Sequence, residues 1–169
     1  MNIIVAQIIG VFAVIFFIFS IQYKEKYKIL FLQAFANALY AIQYLFLNVY
    51  TASLMNIVSF FRCLLFGSYD LKKKKLPTLY LIIFIMIIII LGIINYNGML
   101  SLIPVVITIL YVIGSYNDTK YFRIIFLICG IIWLYYNFTV KAYTSLIGNF
   151  FEITSGIVSL VRYRNPNKK

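Results

Sequence analysis

The chain has 169 residues, of which 64% are hydrophobic and 11% are charged, and its mean hydropathy is +0.98. Soluble domains carry about 25% charged residues, so this chain has too few polar side chains to cover a surface in water. The net charge of +11 does not indicate nucleic-acid binding, because lysine and arginine beside apolar segments are typical of the cytoplasmic loops of membrane proteins.

Seven apolar segments separated by polar breaks predict seven transmembrane helices, since about 20 apolar residues cross a bilayer. The segments cover residues 3–22, 29–47, 50–68, 78–94, 99–116, 121–140 and 142–161. Short loops leave no room for a soluble domain, so we expect one membrane domain over residues 1–169 with a basic tail at 162–169. The chain turns apolar at Ile3 without a basic segment before it, so a cleaved signal peptide is not expected.

The basic residues predict the orientation of the bundle. With seven helices, Lys141 is the only one of the 15 basic residues that falls on the side of the N-terminus. Basic loops stay in the cytoplasm, so we expect the N-terminus outside and the C-terminus inside.

The order of the helices predicts a three-plus-one-plus-three arrangement. The fourth segment is almost purely apolar, and removing it leaves two groups of three, residues 3–68 and 99–161. A shift of 93 residues pairs Tyr40 with Trp133 and Asn56 with Asn149. We expect two parallel three-helix repeats joined by a linker helix at 78–94, an architecture known in transporters with the substrate site between the repeats.

Four polar or aromatic side chains within the predicted helices are candidates for binding a solute. Asn56 and Asn149 are amides about 10 Å below the outer surface, at 1.5 Å per residue. Tyr40 and Trp133 lie at a similar depth on neighbouring helices. Packing between helices is the alternative role for all four. An amide beside an aromatic face suits a small polar solute such as a sugar or nucleoside.

Glu152 is the only acidic residue within a predicted helix, and such a charge is expensive in a membrane. Three interpretations stay open: proton coupling, an ion pair with Arg62, or a hydrogen bond to a neighbouring serine while Arg62 reaches the lipid headgroups. Pro104 lies within the fifth predicted helix, where it favours either a static bend or a moving hinge.

Catalytic chemistry and metal binding are not indicated. The chain has no histidine and four acidic residues, and it lacks the common catalytic motifs. Its two cysteines, Cys63 and Cys129, are too far apart in sequence for a zinc or redox motif. We expect no enzyme activity, no cofactor and no nucleic-acid partner.

Short motifs resemble a known family. The pairs Ala6-Gln7 and Gly10-Val11, the run Leu102-Ile103-Pro104-Val105, and Asn56 followed by Arg62 resemble the bacterial YgjV-like inner membrane proteins, which implies a multi-pass protein of the bacterial inner membrane. The helix order is also similar to that of the SWEET and PQ-loop transporters. That resemblance implies a solute pocket at Asn56, Trp133 and Asn149, although the Pro-Gln pair of the superfamily is missing here.

The resulting expectation is a transporter of a small polar solute that works by alternating access. The alternative is a membrane receptor or assembly protein of the same fold that transports nothing. The lipid bilayer is the expected surrounding of either, and whether the chain forms a homo-oligomer is left open.

Overall fold

The computed structural model describes the backbone of residues 3–162 and the side chains of that range except Glu152, Ser155, Ser159 and Arg162. The described chain is all-helical, with the order α1 (Ile3–Gln22), α2 (Lys26–Phe46), α3 (Tyr50–Leu71), α4 (Thr78–Ile94), a 3₁₀ turn (Met99–Ser101), α5 (Leu102–Tyr116), α6 (Thr119–Thr139) and α7 (Tyr143–Arg162). The prediction of an all-helical chain with seven helices is confirmed. The predicted tail beyond Arg162 lies outside the described residues.

Five of the helices are long and apolar enough to cross a membrane: α1, α2, α3, α5 together with its 3₁₀ turn, and α6. The chain is therefore a multi-pass membrane protein. The fourth helix is apolar but has 17 residues, about 25 Å at 1.5 Å per residue. Membrane crossing by α4 and α7 stays a prediction.

Six helices form a closed ring, and α4 lies outside it. Around the ring, α1 packs on α2, α2 on α3, α3 on α5, α5 on α6, α6 on α7, and α7 returns to α1. The outer helix α4 packs on α5 and α3 and buries only Phe84, Ile88 and Gly92. An all-round apolar helix with one narrow buried stripe is suited to contact lipid.

The α2–α3 turn and the α6–α7 turn have the same geometry. The α2–α3 turn places Asn48 at φ 61°, and the α6–α7 turn places Lys141 at φ 59°. In the first turn the N–H of Val49 donates to the carbonyl of Tyr44 at 2.9 Å, and in the second the N–H of Ala142 donates to that of Asn137 at 3.0 Å. We call this end of the bundle the turn end. The opposite end, with the α1–α2 and α5–α6 loops and Lys72 to Lys75, is the basic end.

The described helix bounds correct some of the predicted ones. The second helix begins at Lys26 and the third ends at Leu71, so both continue past the apolar segments into the basic end.

Pro104 lies in the first turn of α5, after the 3₁₀ turn, and not in a helix interior. A first-turn proline removes an N–H that has no helical partner anyway, so it breaks no interior bond.

The contact between α1 and α7 depends on Gly148. A Cβ atom at this position would lie 2.3 Å from Cγ2 of Val14, and a β-branched side chain has little freedom to move away. We expect Gly148→Ala to lower the free energy of unfolding by about 1–3 kcal/mol, as measured by thermal unfolding in detergent. Gly67→Ala is the matched control, because its nearest contact would be an ordinary 3.4 Å. Equal stability of the two variants would contradict the tight α1–α7 contact.

Candidate functional site

The ring of six helices encloses a small polar cavity. All six ring helices contribute side chains, and their combination of amides, hydroxyls and aromatic rings is unusual for a membrane interior. The lining residues are Phe17, Asn37, Tyr40, Tyr44, Asn56, Ser59, Thr108, Tyr111, Trp133, Asn137 and Asn149. The cavity has a volume of about 30 Å³, which is enough for about two water molecules.

The four candidate binding residues lie in the wall of this one cavity. Tyr40 is on α2, Asn56 on α3, Trp133 on α6 and Asn149 on α7. Tyr40, Asn56 and Asn149 are each at least nine-tenths buried. The Nδ2 atom of Asn56 donates to the carbonyl of Ala52 in its own helix at 2.8 Å, so its amide is held locally.

Sequence reasoning missed the centre of the polar network, which is Asn137. Its Nδ2 atom donates to Oδ1 of Asn149 at 2.7 Å, and its Oδ1 accepts from the hydroxyl of Tyr44 at 2.6 Å. These bonds connect α2, α6 and α7. Tyr44 and Asn137 are themselves 93 residues apart, so the same offset that paired the candidates contained a signal for both.

Aromatic rings form part of the wall, and some of them pack on rings behind it. The ring of Tyr44 stacks on Trp133 with centroids 5.8 Å apart, and Tyr136 meets Trp133 edge-on at 5.3 Å. Further towards the basic end, Phe17 stacks on Phe126 at 5.2 Å. Flat faces beside amides can bind a polar solute by stacking and by hydrogen bonds together.

At the turn end, α1 and α7 close the cavity through Gln7. The N–H of Thr144 donates to Oε1 of Gln7 at 2.9 Å, and Nε2 of Gln7 donates to the carbonyl of Lys141 at 3.2 Å. One turn deeper, Ser145 donates to Oε1 of the buried Gln43 at 2.8 Å. These bonds connect α1 and α2 with α7.

At the basic end, two cationic side chains donate to carbonyls at the C-terminal ends of helices that are not their neighbours in the ring. Lys26 of α2 donates to the carbonyl of Asn117, just after α5, at 2.5 Å. Arg123 of α6 donates to the carbonyl of Tyr23, just after α1, at 2.8 Å. Cations are favourable at helix C-termini, where the carbonyls carry partial negative charge. We call these two contacts the basic-end latches.

The loop beside the latches carries the one ion pair among the described side chains, between Lys28 and Glu25 at 3.5 Å. The pKa of Glu25 is lowered, first by a backbone hydrogen bond and also by Lys28 and Lys24. The exposed carboxylate is therefore ionised at neutral pH.

Arg62 is buried inside the bundle. It is 1% exposed and lies nine residues before the end of α3, roughly 14 Å at 1.5 Å per residue. Its Nη1 atom donates to the carbonyl of Tyr111 at 2.9 Å and to the hydroxyl of Ser115. The described partners of Arg62 are thus on α5 and in its own helix.

The sequence offered Glu152 as an ion-pair partner of Arg62. The side chain of Glu152 lies outside the described residues. No group of acidic, cysteine or histidine side chains that could hold a metal is found in the part of the chain that the structure describes.

Pro104 lies close to the cavity wall. Its carbonyl accepts a hydrogen bond from the hydroxyl of Thr108 at 2.7 Å, and Thr108 lines the cavity. A hinge at the start of α5 would therefore connect directly to this wall.

A second cavity opens at the basic end. Its volume is about 260 Å³, and its wall includes Lys26, Asp70, Lys74, Lys75, Ser115 and Asp118. We call it the basic-end pocket. No sequence pattern indicated that the end of α5 and the start of α6 would approach Lys74 and Lys75.

Comparison with known proteins identifies the family. The model of the Imp-YgjV family, described as bacterial inner membrane protein, matches residues 4–167. No curated protein and no solved structure matches the chain.

Proposed function

Because the chain belongs to the Imp-YgjV family of bacterial inner membrane proteins, its place of action is the inner membrane, and we propose that it transports a small polar solute by alternating access. The observation that carries the proposal is the polar cavity shared by six helices. Polar groups in the membrane interior are costly, and they often mark a substrate or ion pathway.

The proposal includes two parallel three-helix repeats related by a pseudo-twofold axis, with α4 as linker. A twofold that exchanges α1 with α5, α2 with α6 and α3 with α7 maps the α3–α5 contact onto the α7–α1 contact, and both contacts occur. The left-handed residues Asn48 and Lys141 are 93 residues apart, and so are Tyr44 and Asn137. These equivalences support the repeat, which sequence identity alone did not establish.

The binding site in this proposal is the wall formed by Tyr40, Asn56, Trp133 and Asn149. The aromatic rings stack on the solute and the amides hydrogen-bond to it. The cavity volume of about 30 Å³ and the contacts at both ends suit an occluded conformation. A solute larger than about two waters requires the two halves to rock apart.

The orientation proposed from the basic residues puts the turn end outside and the basic end in the cytoplasm. The latches then close the cytoplasmic side and the Gln7–Thr144 contacts close the outer side. This arrangement is similar to that of the SWEET and PQ-loop transporters, and the likeness remains part of the proposal.

The test is counterflow in proteoliposomes with labelled monosaccharides, nucleosides, amino acids and small organic acids. We expect the wild type to exchange at least one of these solutes, and Asn149→Ala to reduce exchange at least tenfold, since it removes the amide bonded to Asn137. Thr154→Ala is the matched control on the same helix, because Thr154 is exposed and bonds only to its own helix. Wild-type exchange that survives Asn149→Ala would contradict the site.

The small volume of the cavity also favours one alternative, a membrane receptor or assembly protein that transports nothing. In that case the polar network fixes the helix packing and no solute enters it. A wild type that exchanges none of the solutes would favour this alternative.

A further inference from the structure

One buried cation, Arg62, contacts a residue of the central cavity and a residue of the basic-end pocket. Its guanidinium donates to the carbonyl of Tyr111 and to the hydroxyl of Ser115. Tyr111 lines the central cavity, and Ser115 lines the basic-end pocket. The guanidinium therefore lies between residues of the two cavities.

The charge of Arg62 is not balanced by a carboxylate among the described side chains. Its Nη2 atom donates to the sulfur of Cys63 at 3.2 Å, which is a weak acceptor, and its Nε atom has no hydrogen-bond partner in the described part of the chain. Buried arginines are normally paired. Among the described side chains, the guanidinium therefore has an unused donor at Nε.

The pocket in front of Arg62 is also cationic. Lys26, Lys74 and Lys75 line it together with two acids, Asp70 and Asp118. Both acids lie within electrostatic range of Lys26, and so does Arg62. The three lysines outnumber the acids, and Arg62 adds a further positive charge behind them.

We propose that the solute is a small oxyanion, a carboxylate or a phosphate, which enters from the basic-end pocket and binds the guanidinium of Arg62. This inference rests on the proposed transport function and names its substrate class. The fork of N–H donors on arginine matches the oxygens of these anions. The anion accepts the hydrogen bonds that Arg62 now donates to Tyr111 and Ser115. The contact between α3 and α5 is then lost, and a route to the central cavity opens.

The single tryptophan of the chain reports on binding, because Trp133 lines the central cavity. Purified protein in nanodiscs is titrated at constant ionic strength, with sodium chloride as the filler, using inorganic phosphate, glycolate and the neutral glycolamide. We expect a saturable change in Trp133 emission and a rise in Tm with phosphate or glycolate, and no response to glycolamide. Arg62→Gln should raise the half-saturating anion concentration at least tenfold.

Two further variants separate ligand binding from a purely structural clamp. Arg62→Lys keeps the charge without the fork, so it should recover part of the response even where Arg62→Gln unfolds. Lys26→Gln should raise the half-saturating concentration several-fold, because it removes a charge at the entrance. If Arg62 only holds α3 against α5, replacing it changes the stability of the protein, but the wild type responds equally to glycolate and glycolamide.

The outcomes separate the two proposals. Equal responses to glycolate and glycolamide, or an unchanged anion response in Arg62→Gln, would overturn the oxyanion assignment. Counterflow of a neutral solute without any anion response would overturn it too, while transport would stand. Anion binding through Arg62 without exchange of any solute would leave the assignment in place and refute transport.

Discussion

Replacing Asn137 with leucine is expected to abolish counterflow and to lower the free energy of unfolding by about 1–3 kcal/mol. The substitution removes both hydrogen bonds of the amide and leaves the hydroxyl of Tyr44 and the Oδ1 atom of Asn149 without this partner. Interhelical hydrogen bonds in membranes contribute about 0.6 kcal/mol on average and up to about 1.7. Exchange should fall more than in Asn149→Ala, because Asn137 holds two walls of the cavity.

A double-mutant cycle tests whether Tyr44 and Asn137 act as a pair. The variants are Tyr44→Phe, Asn137→Leu and their combination, and the coupling free energy should be about 0.6–1.7 kcal/mol. Tyr135→Phe is the control, since that tyrosine is 61% exposed and should change nothing measurable. Additive single effects, or full exchange in Asn137→Leu, would contradict a central role for this amide.

The sequence predicted helix positions well where a polar break coincides with the end of a helix. Both bounds of α1 and of α4 agree with the apolar segments, since Tyr23 and Pro77 interrupt the pattern at those ends. The predicted bounds are wrong where a helix continues into polar sequence. Lys26 belongs to α2 and Asp70 to α3, because backbone hydrogen bonding does not require an apolar side chain.

The site could be predicted only in part for a related reason. An offset between two halves identified Asn56 and Asn149, since polar side chains in apolar segments are conspicuous. The partner of Asn149 is Asn137 on α6, and this contact depends on how the helices pack, which no local pattern contains. The same limit applies to Arg62: its hydrogen bonds to Tyr111 and Ser115 follow from α5 packing on α3, and a hydropathy pattern does not contain that contact.

Arg123→Gln is expected to open the basic end. The variant loses the hydrogen bonds from Arg123 to the carbonyls at the end of α1. A partly buried cation at a helix C-terminus contributes about 1–2 kcal/mol to stability. A change of that size raises the population of an open conformation about 5- to 30-fold, at 1.4 kcal/mol per factor of ten. Acrylamide, a neutral quencher, should then reach Trp133 more readily, and the quenching constant measured in nanodiscs should increase at least threefold.

The control variants for Arg123→Gln distinguish charge from shape. Arg123→Lys keeps a cation at the end of α1 and should restore most of the protection of Trp133, whereas the exposed Lys120→Gln in the same helical turn should have no effect. Lys26→Gln removes the second latch, so adding it to Arg123→Gln should raise quenching further, because each latch holds a different pair of helices. Protection of Trp133 that is unchanged in the double variant would show that packing of the ring alone keeps this end closed, and the latches would then have no part in alternating access.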